Sequence, residues 1–245
     1  MLFFKKKIPV LKDLIPDQFI DIHSHLLFGL DDGAKTFEDT LFLTKSMIDF
    51  GVAAFITTPH TIQHVWENKK KDIESSNEVT NLLLAEHDIK IPFKAASEYL
   101  MDDYFVKQFQ SETLLTLKDN YVLVEMSYIN APIQLYSILF DLQVAGYTPV
   151  LAHPERYLFY HNNFSEYLKL KKAGCLFQLN LLSVVGYYGE VVFQIAKKLL
   201  KNGMIDYVGS DVHHKNHLQA FENKVIIKDL SPLKEAFSNN AFFNK

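Results

Sequence analysis

Short apolar runs recur along this chain at 19–22, 52–57, 91–95, 121–124, 147–152, 176–179 and 205–208, and their spacing constrains the fold more than any other feature. Each is too short for a globular helix and suits a strand buried on both faces. The segments between them are of helix length and carry lysine and glutamate. In the first, Thr36 stands as an N-cap and Asp39 occupies the capping-box position, where glutamate is the commoner choice. Leu41, Phe42, Lys45, Ile48 and Asp49 then give an amphipathic pattern that Gly51 terminates. Seven strands alternating with helices predict an α/β protein with a parallel sheet, and closing that sheet into a barrel leaves no edge exposed. One domain over 19–245 is expected, with residues 1–18 as an N-terminal extension and the segment after Phe221 as a closing appendage.

Residues able to bind metal follow these runs. His23 and His25 come after the first, His60 after the second, Glu98 after the third, Glu125 at the end of the fourth, His153 after the fifth, and Asp211 with His213 after the seventh. All fall at carboxyl ends, the face where barrels of parallel strands assemble sites from several strands at once. Singly, a histidine after a strand is a commonplace turn or packing residue. Together the pattern gains weight. In His23-Ser24-His25 alternate side chains of an extended segment point the same way, so both imidazoles can reach one ion. Asp211-Val212-His213 repeats the spacing, and Glu125 emerging from an apolar run is a costly buried charge unless a cation offsets it. Imidazole and carboxylate without thiolate favour manganese, iron or zinc in an open catalytic site, and the number of carboxylates suggests more than one ion.

Composition narrows the partners. A net charge of −4 gives no general attraction to nucleic acid or to an anionic membrane, so phosphate must be held locally. Arg156 is the only arginine among 25 basic residues, and its planar fork matches phosphate oxygens in a way lysine does not. No run approaches the length of a spanning helix, and the start Met1-Leu2-Phe3-Phe4-Lys5-Lys6-Lys7 lacks the apolar core and cleavage site of a secretory signal, so the expected compartment is the cytoplasm.

His23-Ser24-His25-Leu26-Leu27-Phe28-Gly29-Leu30-Asp31-Asp32-Gly33, Thr58-Pro59-His60, His153-Pro154-Glu155-Arg156-Tyr157 and Ser210-Asp211-Val212-His213 resemble the polymerase-and-histidinol-phosphatase superfamily, most closely its bacterial protein-tyrosine phosphatase branch. The resemblance runs from about Phe19 to Phe221. It implies a distorted (β/α)7 TIM-like barrel and three divalent ions, manganese foremost. By motif, one ion would take His23, His25, Glu125 and Asp211; a second Glu98, His153 and a bridging Glu125; a third Asp32, His60 and His213. Arg156, Asp211 and His213 would form the catalytic set, with a metal-bridging hydroxide attacking a phosphate gripped by Arg156. Asn180 would line the site. Lys215 stands near where the family places a second phosphate-binding arginine. The implied substrate is a phosphotyrosine protein, a tyrosine autokinase of capsule or exopolysaccharide synthesis, with no nucleic acid and no stable membrane insertion; oligomeric state is left open.

Rival readings differ in specific residues. A cysteine phosphatase needs Cys-x5-Arg, and the sole thiol, Cys175, precedes Leu176-Phe177-Gln178-Leu179-Asn180-Leu181 instead. A histidinol-phosphate phosphatase shares the fold and metals but needs a pocket for a small cationic substrate. A polymerase-associated exonuclease needs a basic track that is missing here. A non-catalytic metal-binding scaffold would not require every motif intact. His64, His87, His161, His214 and His217 are expected at the surface or behind the ligands, and Tyr128 and Tyr187 are candidates to stack on a phosphotyrosine ring.

Overall fold

The computed structural model describes residues 8–244. Every apolar run contributes a strand: β1 (Phe19–Asp21), β2 (Val52–Thr57), β3 (His60–Thr61), β4 (Phe93–Ala95), β5 (Glu98–Leu100), β6 (Tyr121–Glu125), β7 (Thr148–Ala152), β8 (Leu176–Asn180) and β9 (Tyr207–Gly209). All their pairings are parallel, in the orders β1-β2-β4 and β3-β5-β6-β7-β8-β9. The two ladders are successive sectors of one ring. The second and third predicted strands end at β2 and β4, and the chain continues past Thr58-Pro59 and Ala96-Ser97 into two further short strands, β3 and β5. Pro59 has no N–H to give a ladder. Ala96 N–H donates to Thr57 O at 2.8 Å and Glu98 N–H to Pro59 O at 3.1 Å, which keeps the neighbours together across both breaks.

The ring closes between the first and last strands. Just beyond β1 and β9, Ser24 and Val212 form a parallel bridge, with Asp211 N–H donating to His23 O at 2.7 Å and His25 N–H to Val212 O at 3.0 Å. The approach is close enough that a Cβ on Gly209 would lie 2.6 Å from the His23 Cβ, so only glycine fits there. The architecture is therefore a (β/α)7 TIM-like barrel, as the resemblance implies.

Deeper in the same seam a side chain takes the place of a strand. The Asn240 carboxamide is fully buried, accepts from Val208 N–H at 3.1 Å, and donates to Val208 O at 2.8 Å and Ile20 O at 2.9 Å. It follows helix α8 (Ser231–Asn239) and opens a short turn whose Phe243 packs against Tyr121 and Tyr207, the first residues of β6 and β9. The tail thus stoppers the amino end of the barrel. Asn240→Ala would leave those backbone groups buried without partners, and urea unfolding should register a loss of about 3 kcal/mol; unchanged stability would show that the seam holds without it.

Seven further helices, α1 (Phe37–Asp49), α2 (Lys70–Glu86), α3 (Asp103–Ser111), α4 (Leu135–Val144), α5 (Ser165–Lys172), α6 (Glu190–Lys201) and α7 (Lys215–Phe221), complete the alternation. Thr36 caps α1 in a full capping box with Asp39, as the sequence predicts. Alternation then sorts each strand. On β7, Val150 and Ala152 point into the barrel while Leu151 packs outward; on β8, Phe177 and Leu179 pack outward and leave Gln178 and Asn180 to the interior. The described part of the predicted extension is part of this packing: Leu11 and Ile15 are buried, and the chain there bonds to residues 223–225. The lysine-rich start falls outside the described residues.

Candidate metal centre

At the carboxyl ends of the strands, all nine predicted ligands converge. Their donor atoms form four overlapping groups, each spanning no more than 4.8 Å: His25, Asp32, His60 and His213; His23, Glu98 and His153; His23, His25 and Asp211; His60, Glu98 and Glu125. All but Asp32 and His213 are buried. Three of the predicted associations appear directly: His23 with His25 and Asp211, Glu98 with His153, and Asp32 with His60 and His213.

The shared carboxylate differs from the expected one. Glu98 Oε2 lies 3.1 Å from His23 Nε2, 3.4 Å from His25 Nε2 and 3.3 Å from His60 Nδ1, while its Oε1 lies 3.0 Å from His153 Nε2. Glu125 instead stands beside His60, 2.9 Å from its Nδ1. Strand register is the reason. Glu98 is level with His60 on β3 and Leu123 on β6, whereas Glu125 is level with Leu100, two residues nearer the mouth. Glu98 therefore reaches the middle of the cluster and Glu125 its rim.

An outer layer orients the imidazoles. His23 Nδ1 lies 2.6 Å from Gln178 Oε1, His25 Nδ1 2.7 Å from Asp31 Oδ2, and His213 Nδ1 2.9 Å from Asp211 O. Each contact uses Nδ1 as donor and turns Nε2 toward the centre, the arrangement that fixes a metal-binding tautomer. Asp211 divides its oxygens: Oδ1 is 3.2 Å from His23 Nε2, and Oδ2 accepts from Arg156 at 2.8 Å and Asn180 at 2.7 Å. Behind it, Glu155 Oε1 accepts from Asn180 N–H and Ser183 Oγ, and burial pushes the Glu155 carboxyl up to about 7. Asp21 accepts from Ser210 N–H and Oγ at the closing seam. His153 and Asp211 also hold left-handed backbone, φ 36° and 50°, which costs a non-glycine residue about 1 kcal/mol or more and concentrates at functional sites.

The chemistry of the donors fits cations. His60 Nδ1, Glu98 Oε1, Glu125 Oε1 and His153 Nδ1 are buried without a hydrogen bond, although the first and third are 2.9 Å apart. Buried donors and carboxylates that face one another at this distance without a well-aligned hydrogen bond are arranged for a cation. Burial lowers the affinity of His23 for a proton, but Glu98 and Asp211 outweigh that and push it up to about 10. Burial opposes ionisation of Glu98 too, yet His23 and His60 hold its carboxyl well below the usual range. The cluster balances its anions with protons that divalent ions would displace.

A cavity of about 570 Å³ opens onto this centre, lined by Asp32, His60, Glu125, His153, Asp211 and His213 on its floor. Arg156 stands in the wall with its guanidinium 4.8 Å from the Tyr128 ring and 4.2 Å from the Tyr188 ring. Trp66 stacks on His60 at 4.8 Å and 13°. Tyr128 lines the cavity as the sequence suggests; Tyr188 does so in place of Tyr187. Asn180 is buried, bonding Asp211 and the Tyr188 hydroxyl, so it positions a ligand and does not face the cavity. Lys215 lines a neighbouring depression that shares Asp32, His213 and His214 with the cavity and does not include Arg156. Among the described residues, none of His64, His87, His161, His214 and His217 joins a donor group. His217 nevertheless accepts from His213 N–H at 3.1 Å, and burial holds it neutral with a pKa of about 3.

The sequence matches the family model for capsular polysaccharide synthesis proteins of the CpsB/CapC type over residues 19–222. The chain belongs to the CpsB/CapC family. It is 29% identical over 196 residues to the tyrosine-protein phosphatase YwqE of Bacillus subtilis, spanning 80% of this chain and 77% of that one. It is likewise 29% identical over 203 residues to the tyrosine-protein phosphatase CpsB of Streptococcus pneumoniae, spanning 80% and 83%. A crystal structure described as YwqE and CpsB, metal-dependent tyrosine phosphatases, superposes with a TM-score of 0.76 at 28% identity over 82% of this chain and 84% of that one. Histidinol phosphate phosphatase from Lactococcus lactis shares the fold, at a TM-score of 0.52 and 14% identity over 94% and 95% of the two chains. The CpsB/CapC match ends at Glu222, so the Asn240 stopper lies beyond the matched region.

Proposed function

We propose that this CpsB/CapC chain is a metal-dependent protein-tyrosine phosphatase acting on a tyrosine autokinase of capsule or exopolysaccharide synthesis in the cytoplasm. The observation that carries the reading is Arg156, a cation fixed between two tyrosine rings in the wall of a cavity whose floor is the histidine and carboxylate cluster. Bound divalent ions, three by the resemblance and manganese foremost, would supply Lewis acidity and a hydroxide at neutral pH. Among the described residues, no helix is long and apolar enough to cross a membrane.

The side chains divide the remaining work. Asp211 draws the Arg156 fork toward the floor through Nη1, and the other guanidinium nitrogens are left for phosphate oxygens. Its charge is secure, because Tyr128 and Asp211 overcome the effect of burial and raise its pKa. Asp211 and His213 hold the floor, with Asn180 and His217 fixing their orientation. Tyr128, Ile129 and Trp66 give the walls an apolar and aromatic surface for a phenyl ring. A phenol leaves with a pKa of ~10 and so needs less protonation than an alkoxide. Metal analysis paired with phosphotyrosine-peptide hydrolysis before and after chelation tests the reading. Chelation should abolish turnover and manganese should restore it; preference for histidinol phosphate by about an order of magnitude in kcat/KM would replace the tyrosine reading with the small-molecule one.

A further inference from the structure

Beside the metal cavity lies a second concavity of about 340 Å³, and Leu100 and Ser127 line both. Met101, Pro132, Ile133 and Ile138 give its lining apolar surface, and Asp102 and Asp103 bring two carboxylates to it. The segment between β6 and α4 runs along it and holds Ile129 at 85% exposure and Ile133 fully exposed. Asp102 caps α3 through Phe105 N–H, and Asp103 makes no ion pair among the described residues. Two uncovered isoleucines and an unpaired carboxylate, adjoining a catalytic mouth, suit a ligand that continues out of the cavity.

We propose that this groove binds the residues flanking phosphotyrosine in the substrate polypeptide, an apolar side chain resting on Ile133 and Pro132 and a lysine or arginine meeting Asp102 and Asp103. The assignment rests on the phosphatase reading above. Continuity selects the occupant. The groove joins the cavity at shared residues, and an extended chain advances ~3.3 Å per residue, so a neighbour of the phosphotyrosine enters the groove while the phosphate faces Arg156. A small phosphate ester would fill the cavity and leave the groove untouched. The two aspartates disfavour acidic flanks, which gives the groove a sign as well as a shape.

The test uses the manganese-loaded full chain with three probes: a phosphotyrosine peptide carrying isoleucine and lysine beside the phosphotyrosine, one carrying glycine and glutamate there, and p-nitrophenyl phosphate. Ile133→Glu and Asp103→Lys change exposed residues outside the metal cavity, so the fold and p-nitrophenyl phosphate turnover should stay as they are. The apolar-basic peptide should have the lower KM, and each variant should raise it about tenfold with kcat retained. Asp103→Lys should also reverse the preference toward the glutamate peptide. Equal KM values for the two peptides, with p-nitrophenyl phosphate hydrolysed normally, would overturn the groove and leave the phosphatase reading standing. Failure to hydrolyse any of the three would overturn both. A concentration-dependent dimer that Ile133→Glu dissociates would give the groove to a second copy of the chain and overturn its assignment to substrate.

Discussion

Glu98→Gln should empty the metal centre and lower kcat/KM on a phosphotyrosine peptide by about a thousandfold, several kcal/mol of lost charge stabilisation. The carboxylate lies within 3.4 Å of four imidazoles, those of His23, His25, His60 and His153, more than any other carboxylate of the cluster. Glutamine keeps the shape but replaces one ligating oxygen with an NH2 that cannot coordinate and removes the anion. Glu125→Gln, at the rim, should cost less. Elemental analysis alongside kinetics distinguishes the two: metal loss led by Glu125→Gln would return the bridging role to the residue the family motif suggested.

Arg156→Lys should lower kcat about a hundredfold while metal content stays at the wild-type level. Lysine retains the charge but not the fork, so it cannot hold Asp211 and two phosphate oxygens together, and a flexible ammonium fills the slot between Tyr128 and Tyr188 poorly. Loss of metal along with activity would mean that the arginine serves chiefly to place Asp211. Unchanged turnover would make the sole arginine incidental to phosphate binding.

Much of this site was legible because each strand is short, buried and ended by a chemically unusual residue. Period and position alone place His23, His25, His60, Glu98, Glu125, His153, Asp211 and His213 on one face. Depth along a strand was not legible. Glu98 and Glu125 both follow apolar runs, and only the register of β5 on β6 shows which stands deeper. The resemblance implies that Asn180 lines the site, but its bonds to Asp211 and Tyr188 make it a support. Gln178, Asp21 and Asp31 were missed as orienting groups. Their signal was present: each is a polar residue in or beside an apolar run, where burial demands a partner. The left-handed backbone at His153 and Asp211 has no such signal in the sequence; it accompanies hydrogen bonds from their N–H groups to Gln178 O and His23 O on neighbouring strands.

The stack of Trp66 on His60 has an optical consequence. It is the only tryptophan in the chain, so the indole fluorescence of the protein arises at one point, against a candidate ligand and in the wall of the cavity. An imidazolium ring quenches a neighbouring indole by accepting an electron, and burial works against protonating His60 while Glu125 and Glu98 promote it and raise its pKa. A cation taking the place of that proton changes the quencher, and a phosphate ester entering the cavity changes the solvent around the same ring. Loading and substrate entry can therefore be followed by emission from the native chain, without a label and without turnover.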